Sequence, residues 1–139
     1  MRGKELFYMT EIDIVQEWLK LALNDLLVAK NCLAMRPQQI EIACYHCQQS
    51  AEKALKGCIL WLYEIEPPKV HNLVQLYQQC LAKDADFATI LTSCSDLTAY
   101  GTIPRYPHEM ALDEVEAVSA VKNAQKVYEF CLAKIPAAH

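Results

Sequence analysis

The chain has 139 residues, of which 53% are hydrophobic and 22% charged, with only 3 Gly and 6 Pro. That composition can bury one sizeable core and excludes collagen-like, low-complexity and disordered classes. Thirteen Lys and Arg against 17 Asp and Glu leave a formal net charge of −4, so no overall basic field draws long nucleic acid or an anionic membrane to the protein.

Gly and Pro punctuate the chain sparsely, at Pro37, Pro67-Pro68, Gly101 to Pro107 and Pro136, and the intervals are of helical length. The expected fold is all-α, an up-and-down bundle of four to five helices in one domain, 1–139, with its core at about 12–135. Val15, Trp18, Leu19, Ala22, Leu26, Ala29 and Leu33 recur at the spacing that lines one helix face, after a capping box from Thr10 and Asp13. Past Arg36-Pro37, with proline at a first helical position, Cys44, Cys47, Ala51, Ala54, Leu55, Cys58 and Leu62 form a second stripe. The two helices are expected to pack as an antiparallel pair.

Asn72 with Gln75 caps a shorter helix carrying Leu73, Leu76 and Cys80 and ending near Lys83. Asp84 or Asp86 caps the next. That helix is expected to bury Phe87, Ile90, Leu91, Cys94 and Leu97 and to stop at Gly101 in a left-handed turn. The last helix carries Ala117, Ala120, Val121, Ala124, Val127, Tyr128, Cys131 and Ile135, with Asp113, Glu114 and Glu116 at its start and Lys134 at its end, as the helix dipole favours.

Seven cysteines cannot all pair, and four of them lie on the apolar stripes. A reduced cysteine is a small hydrophobe, which points to a reducing compartment and a cytoplasmic protein. The N-terminal residues 1–18 interrupt their apolar positions with Glu, Asp and Gln, unlike a signal peptide, and no window reaches the roughly 18 apolar residues of a membrane span.

Two places could carry chemistry. Opposite the cysteine stripe, His46, Gln49, Ser50, Lys53 and Gly57 make a polar face flanked by Glu52 and Lys56. Its simplest reading is a solvated side. A glycine inside a helix costs about 1 kcal/mol relative to alanine, so Gly57 points to a close approach by another backbone or a ligand, as a groove or a dimer interface would supply.

The second place is Gly101 to His108, where two prolines brace Arg105 beside Tyr106 and His108. Arginine forks onto phosphate, tyrosine stacks on a base and histidine transfers protons near neutral pH. The plainer alternative pairs Arg105 with Glu109 and uses Tyr106 to fill the end of the bundle. Cys44-x-x-Cys47 has no second ligand pair and no Glu stands three residues before a His, so zinc and di-iron sites lack their spacing and no metal or cofactor is expected. Phosphate-binding Gly-rich loops, G-x-S-x-G elbows and H-E-x-x-H helices are absent as well. His71 reads as a loop or capping residue.

Three ordered elements carry a family resemblance. The helix from Ala43 to Lys56 resembles the signature helix of the HEPN domain family, Pro67-Pro68-Lys69-Val70-His71-Asn72-Leu73 is similar to its proline and His-Asp/Asn-Leu element, and Arg105-Tyr106-Pro107 is similar to its Arg-Tyr-Pro loop. The resemblance implies a helical homodimer found beside minimal nucleotidyltransferases as a toxin and antitoxin pair, binding nucleotide or RNA, with some members acting as metal-independent ribonucleases. It makes Arg105, Tyr106, His46, Gln49 and Lys53 the expected ligand-binding residues and Arg105 and His108 the catalytic candidates.

The ribonuclease branch separates Arg from His by four to six residues. Here Arg105 and His108 have two between them, Arg36 and His46 have nine, and Arg2 has no histidine nearby. A binding module is therefore the leading expectation, with a nucleotide or short RNA favoured over long duplex DNA and no membrane partner. A ribonuclease with a divergent Arg/His site and a non-catalytic dimeric scaffold are the alternatives.

Overall fold

A computed structural model describes residues 10–103 and 111–137. Its first helix, α1 (Glu11–Ala34), opens with the expected capping box: Asp13 N donates to Thr10 Oγ1 and Thr10 N donates to the Asp13 carboxylate, both at 3.2 Å. The second, α2 (Ile40–Tyr63), starts later than the proline rule suggests. Pro37 is not a first helical residue, because the chain must first turn back onto α1, where Gln39 N donates to Cys32 O at 3.0 Å. The helix ends at Glu64, whose φ of 56° is left-handed.

After Pro67-Pro68, α3 (Leu73–Lys83) is capped by Asn72, which accepts from Gln75 N at 3.0 Å. A 3₁₀ segment (Ala85–Ile90), capped by Asp84, leads into the short α4 (Leu91–Leu97) and a 3₁₀ turn (Thr98–Tyr100). Leu91, expected inside, is 48% exposed, because the tighter winding of the 3₁₀ segment rotates the apolar stripe by the time α4 begins. Gly101 is not left-handed either; its φ is −70°, so a glycine is not needed there for its dihedrals. The last helix, α5 (Glu114–Lys134), is capped by Asp113, which accepts from Glu116 N at 2.8 Å. Lys134 at its C-terminus pairs with Asp84 at 2.9 Å and Asp86 at 2.6 Å, pinning it to the 3₁₀ segment.

Contacts across the seams give the directions. Ser50 reaches Ala22, His46 reaches Asp25 and Gly57 lies against Val15 and Trp18, so residue numbers rise on one helix as they fall on the other and α1 and α2 are antiparallel. Ser93 to Asn123 and Phe87 to Phe130 set α4 and the 3₁₀ segment antiparallel to α5 in the same way. The up-and-down helical bundle is as expected, with α2 touching every other helix.

One apolar cluster runs through the bundle, with Leu19, Leu26, Leu55, Ile59, Leu73, Leu76, Phe87, Ile90 and Leu97 its largest buried side chains. Each contributes about 1.5–3 kcal/mol on leaving water. All seven cysteines are free and buried. Burial pushes the Cys44 thiol up to about 11 and those of Cys47 and Cys94 up to about 12, so these groups are protonated, weakly nucleophilic packing residues.

Candidate functional site

The polar face of α2 is only partly a solvated side: His46, Gln49 and Lys53 are half-buried, and the rest is enclosed. Ser50 is wholly buried and donates to Ala22 O at 2.7 Å, and Gly57 is buried where a Cβ would come within 3.1 Å of Trp18 Cβ and 3.5 Å of Val15 O. The close approach that Gly57 signals is made by α1 of the same chain; it requires neither a groove nor a dimer partner. Glu52 and Lys56, expected on the solvated flanks, are 4% and 7% exposed. A buried charge survives only with partners, and this face supplies them in two clusters.

The first cluster bridges α1 and α2. Asp25, 8% exposed, holds His46 Nδ1 through Oδ1 at 2.8 Å and accepts from Lys53 Nζ through Oδ2 at 2.5 Å. The His46 and Lys53 side chains keep 26% and 27% of their surface in solvent. Tyr45 stands edge-on to the His46 ring, with centroids 5.3 Å apart. With Nδ1 committed to a carboxylate, the imidazole is fixed in rotation and tautomer.

The second cluster lies where α2 meets the 64–72 connector. Glu52 Oε2 pairs with Lys56 Nζ at 3.2 Å and His71 Nδ1 at 3.1 Å, while Glu52 Oε1 is buried without a hydrogen-bond partner among the described residues. Lys56 also lies 6.0 Å from the Trp18 ring centre. Gln48, 1% exposed, donates from Nε2 to His71 O at 3.1 Å. His71 is thus a tether as well as a neighbour of the Asn72 cap. Gln49 Nε2 donates to Gln48 Oε1 at 2.7 Å.

Gly101, the first residue of the proline-braced loop, packs against Gln48, where a Cβ would lie 3.9 Å from the side-chain amide. The adjoining Tyr100 phenol is pushed above its usual value by burial and then by Cys44 and Glu116, which places the 3₁₀ turn over the N-terminal half of α2. Arg105, Tyr106 and His108, and with them the Arg105 to Glu109 alternative, lie outside the described residues. Of the expected ligand-binding residues, His46, Gln49 and Lys53 therefore stand together on α2. Sequence reasoning misses Asp25 and Gln48. Asp25 sits three residues after Ala22 and four before Ala29, and a lone acid at that spacing beside an apolar stripe is the available signal.

Among the described residues no group of three or more His, Cys, Asp or Glu side chains is placed to hold a metal ion. Nor is any described helix long and apolar enough to cross a membrane.

This geometry meets independent comparisons. Protein TT1696 from Thermus thermophilus superposes with a TM-score of 0.72 at 27% identity, covering 86% of this chain and 97% of that one. ST0689, described as an archaeal HEPN homologue, superposes with a TM-score of 0.67 at 27% identity, covering 88% of this chain and 98% of that one. No curated protein matches the chain. The family model of the HEPN domain matches residues 15–135, so the helix, the proline and histidine connector and the position of the loop belong to one pattern: the chain belongs to the HEPN domain family.

Proposed function

We propose that the protein is a homodimeric HEPN binding module for a nucleotide or short RNA, acting with a minimal nucleotidyltransferase in a toxin-antitoxin type pair. One observation carries the reading. Gln48, in the signature helix, hydrogen-bonds the backbone of His71 and packs against Gly101, the first residue of the loop bearing Arg105 and Tyr106. Three segments distant in sequence, α2, the connector and the start of the loop, thus meet at Gln48, whose amide also bonds Gln49. Convergence of this kind is how a fold assembles a binding site from short motifs.

The net charge of −4 favours a ligand with few phosphates, because long polyanions are held by many phosphate contacts. Titration of the purified protein with mononucleotides and short single-stranded RNAs tests the reading, with saturable binding the expected result. Arg105→Ala is expected to weaken it about tenfold, the worth of one charged hydrogen bond. Unchanged affinity removes the loop from the site, and a monomer at micromolar concentration removes the dimer. The partner is tested by co-purification with the product of a neighbouring nucleotidyltransferase reading frame.

A further inference from the structure

The first cluster has more capacity than joining two helices requires. An interhelical clamp needs only Asp25 and Lys53, yet the second carboxylate oxygen is spent on fixing His46 through Nδ1. No described residue bonds His46 Nε2, and Lys53 uses one of its three ammonium protons on Asp25. The two nitrogen groups are held by opposite oxygens of one carboxylate, and each side chain keeps about a quarter of its surface in solvent. Around them stand Leu21 and Val28, one turn either side of Asp25 on α1, and Ile42, one turn before His46 on α2; these are 44%, 40% and 36% exposed. An apolar rim around a small cationic centre suits an anion that carries an organic body.

We infer that Asp25, His46 and Lys53 form a receptor for the terminal phosphate of a phosphomonoester whose organic part lies on the Leu21, Val28 and Ile42 rim. The inference deepens the nucleotide reading and rests on it for the choice of phosphate over other anions. In the bound state Lys53 donates from its free protons to phosphate oxygens, and His46, held through Nδ1, presents Nε2 to the same phosphate. Asp25 touches no ligand. It is a positioning residue that holds the Nδ1 proton and aims Nε2 outward, as carboxylates do behind other working histidines. A terminal phosphate carries more charge than an internal diester, so a site with only two nitrogen groups to offer prefers a chain end or a mononucleotide.

The test is an NMR titration of isotope-labelled protein with inorganic phosphate and, separately, with adenosine 5′-monophosphate, read at the His46 ring and at backbone amides. Both ligands are expected to shift the His46 signals, the monoester more tightly through its contact with the rim. His46→Ala and Lys53→Met, at partly exposed positions, are each expected to weaken phosphate binding about tenfold. Asp25→Asn separates positioning from plain countercharge. Removing only a negative charge would tighten phosphate, whereas loss of positioning weakens it and changes the His46 ring nitrogen shifts before any ligand is added.

Phosphate shifts that map elsewhere, or variants that bind as the parent does, overturn the receptor; tighter binding by Asp25→Asn overturns the role given to Asp25. Nucleotide binding that leaves His46 undisturbed but needs Arg105 overturns this inference and keeps the nucleotide reading. Phosphate binding at His46 that no nucleotide or RNA displaces keeps the receptor and removes that reading.

Discussion

The two sides of α2 are buried by different means. On one side Cys44, Cys47, Ala51, Ala54, Leu55 and Cys58 are wholly enclosed by apolar neighbours, and what holds them is area and fit. On the other, Ser50, Glu52, Lys56 and Gly57 are buried as deeply, but each polar group needs a particular acceptor or countercharge from α1 or the connector. The comparison teaches that a polar stripe on a helix does not by itself mark the solvent side. In a bundle whose central helix has neighbours all round, the polar stripe becomes the seam that specifies register.

The largest expected effect bears on the thiol side. Burial raises Cys44 to about 11 and Cys47 and Cys94 to about 12 from an ordinary value of 9.0, and it also raises Cys80. A thiol whose folded value is raised stabilises the fold fully below its unfolded value, and that contribution is lost as pH rises toward the folded value. Above about pH 9 each such thiol therefore removes about 1.4 kcal/mol per pH unit. Thermal melts followed by circular dichroism should show Tm falling steeply above about pH 9, with a shallower fall for Cys47→Ala. A flat profile to about pH 11 would mean that these thiols meet water.

Next comes the buried pair on the opposite side. Lys56→Met leaves Glu52 with only the exposed His71 as a hydrogen-bond partner and is expected to cost about 3–5 kcal/mol in urea unfolding, while the double variant Glu52→Leu, Lys56→Met recovers most of the loss. Equal losses in the single and double variants would mean that shape, not charge pairing, governs this side as it does the other. Asp25→Ala is expected to cost less, about 2 kcal/mol, since His46 and Lys53 each keep about a quarter of their side chain in solvent and can hydrate. The smallest change is Ser50→Ala, about 1 kcal/mol, because Ala22 O also serves the α1 ladder. If Ser50→Ala exceeds Asp25→Ala, the seam depends on its buried hydrogen bonds more than on its ions.

The caps at Thr10 and Asn72, and Asp84 as one of two candidates, were legible because capping is a local exchange between a side chain and amides two or three residues away. The cysteine stripe was legible for the same reason, its period being a property of one helix. The site was half legible. His46, Gln49 and Lys53 share a face of α2 by spacing alone, but Asp25, the partner of His46 and Lys53, is on another helix, and no pattern within α2 could name it. Gly57 announced a close approach without naming the neighbour. Leu91 was misplaced because a 3₁₀ turn in front of it altered the periodicity from which its burial was read.

By itself the sequence determined approximate helix positions, the thiol-lined core and the family pattern, because each depends on interactions within a few turns of one chain segment. Only tertiary structure decided that much of the polar side of α2 lies inside, that Asp25 serves His46 and Lys53, and that Gln48 gathers the connector and the start of the loop. Those outcomes depend on which helix comes to lie against which, and a buried charge takes its meaning from the partner that packing brings to it.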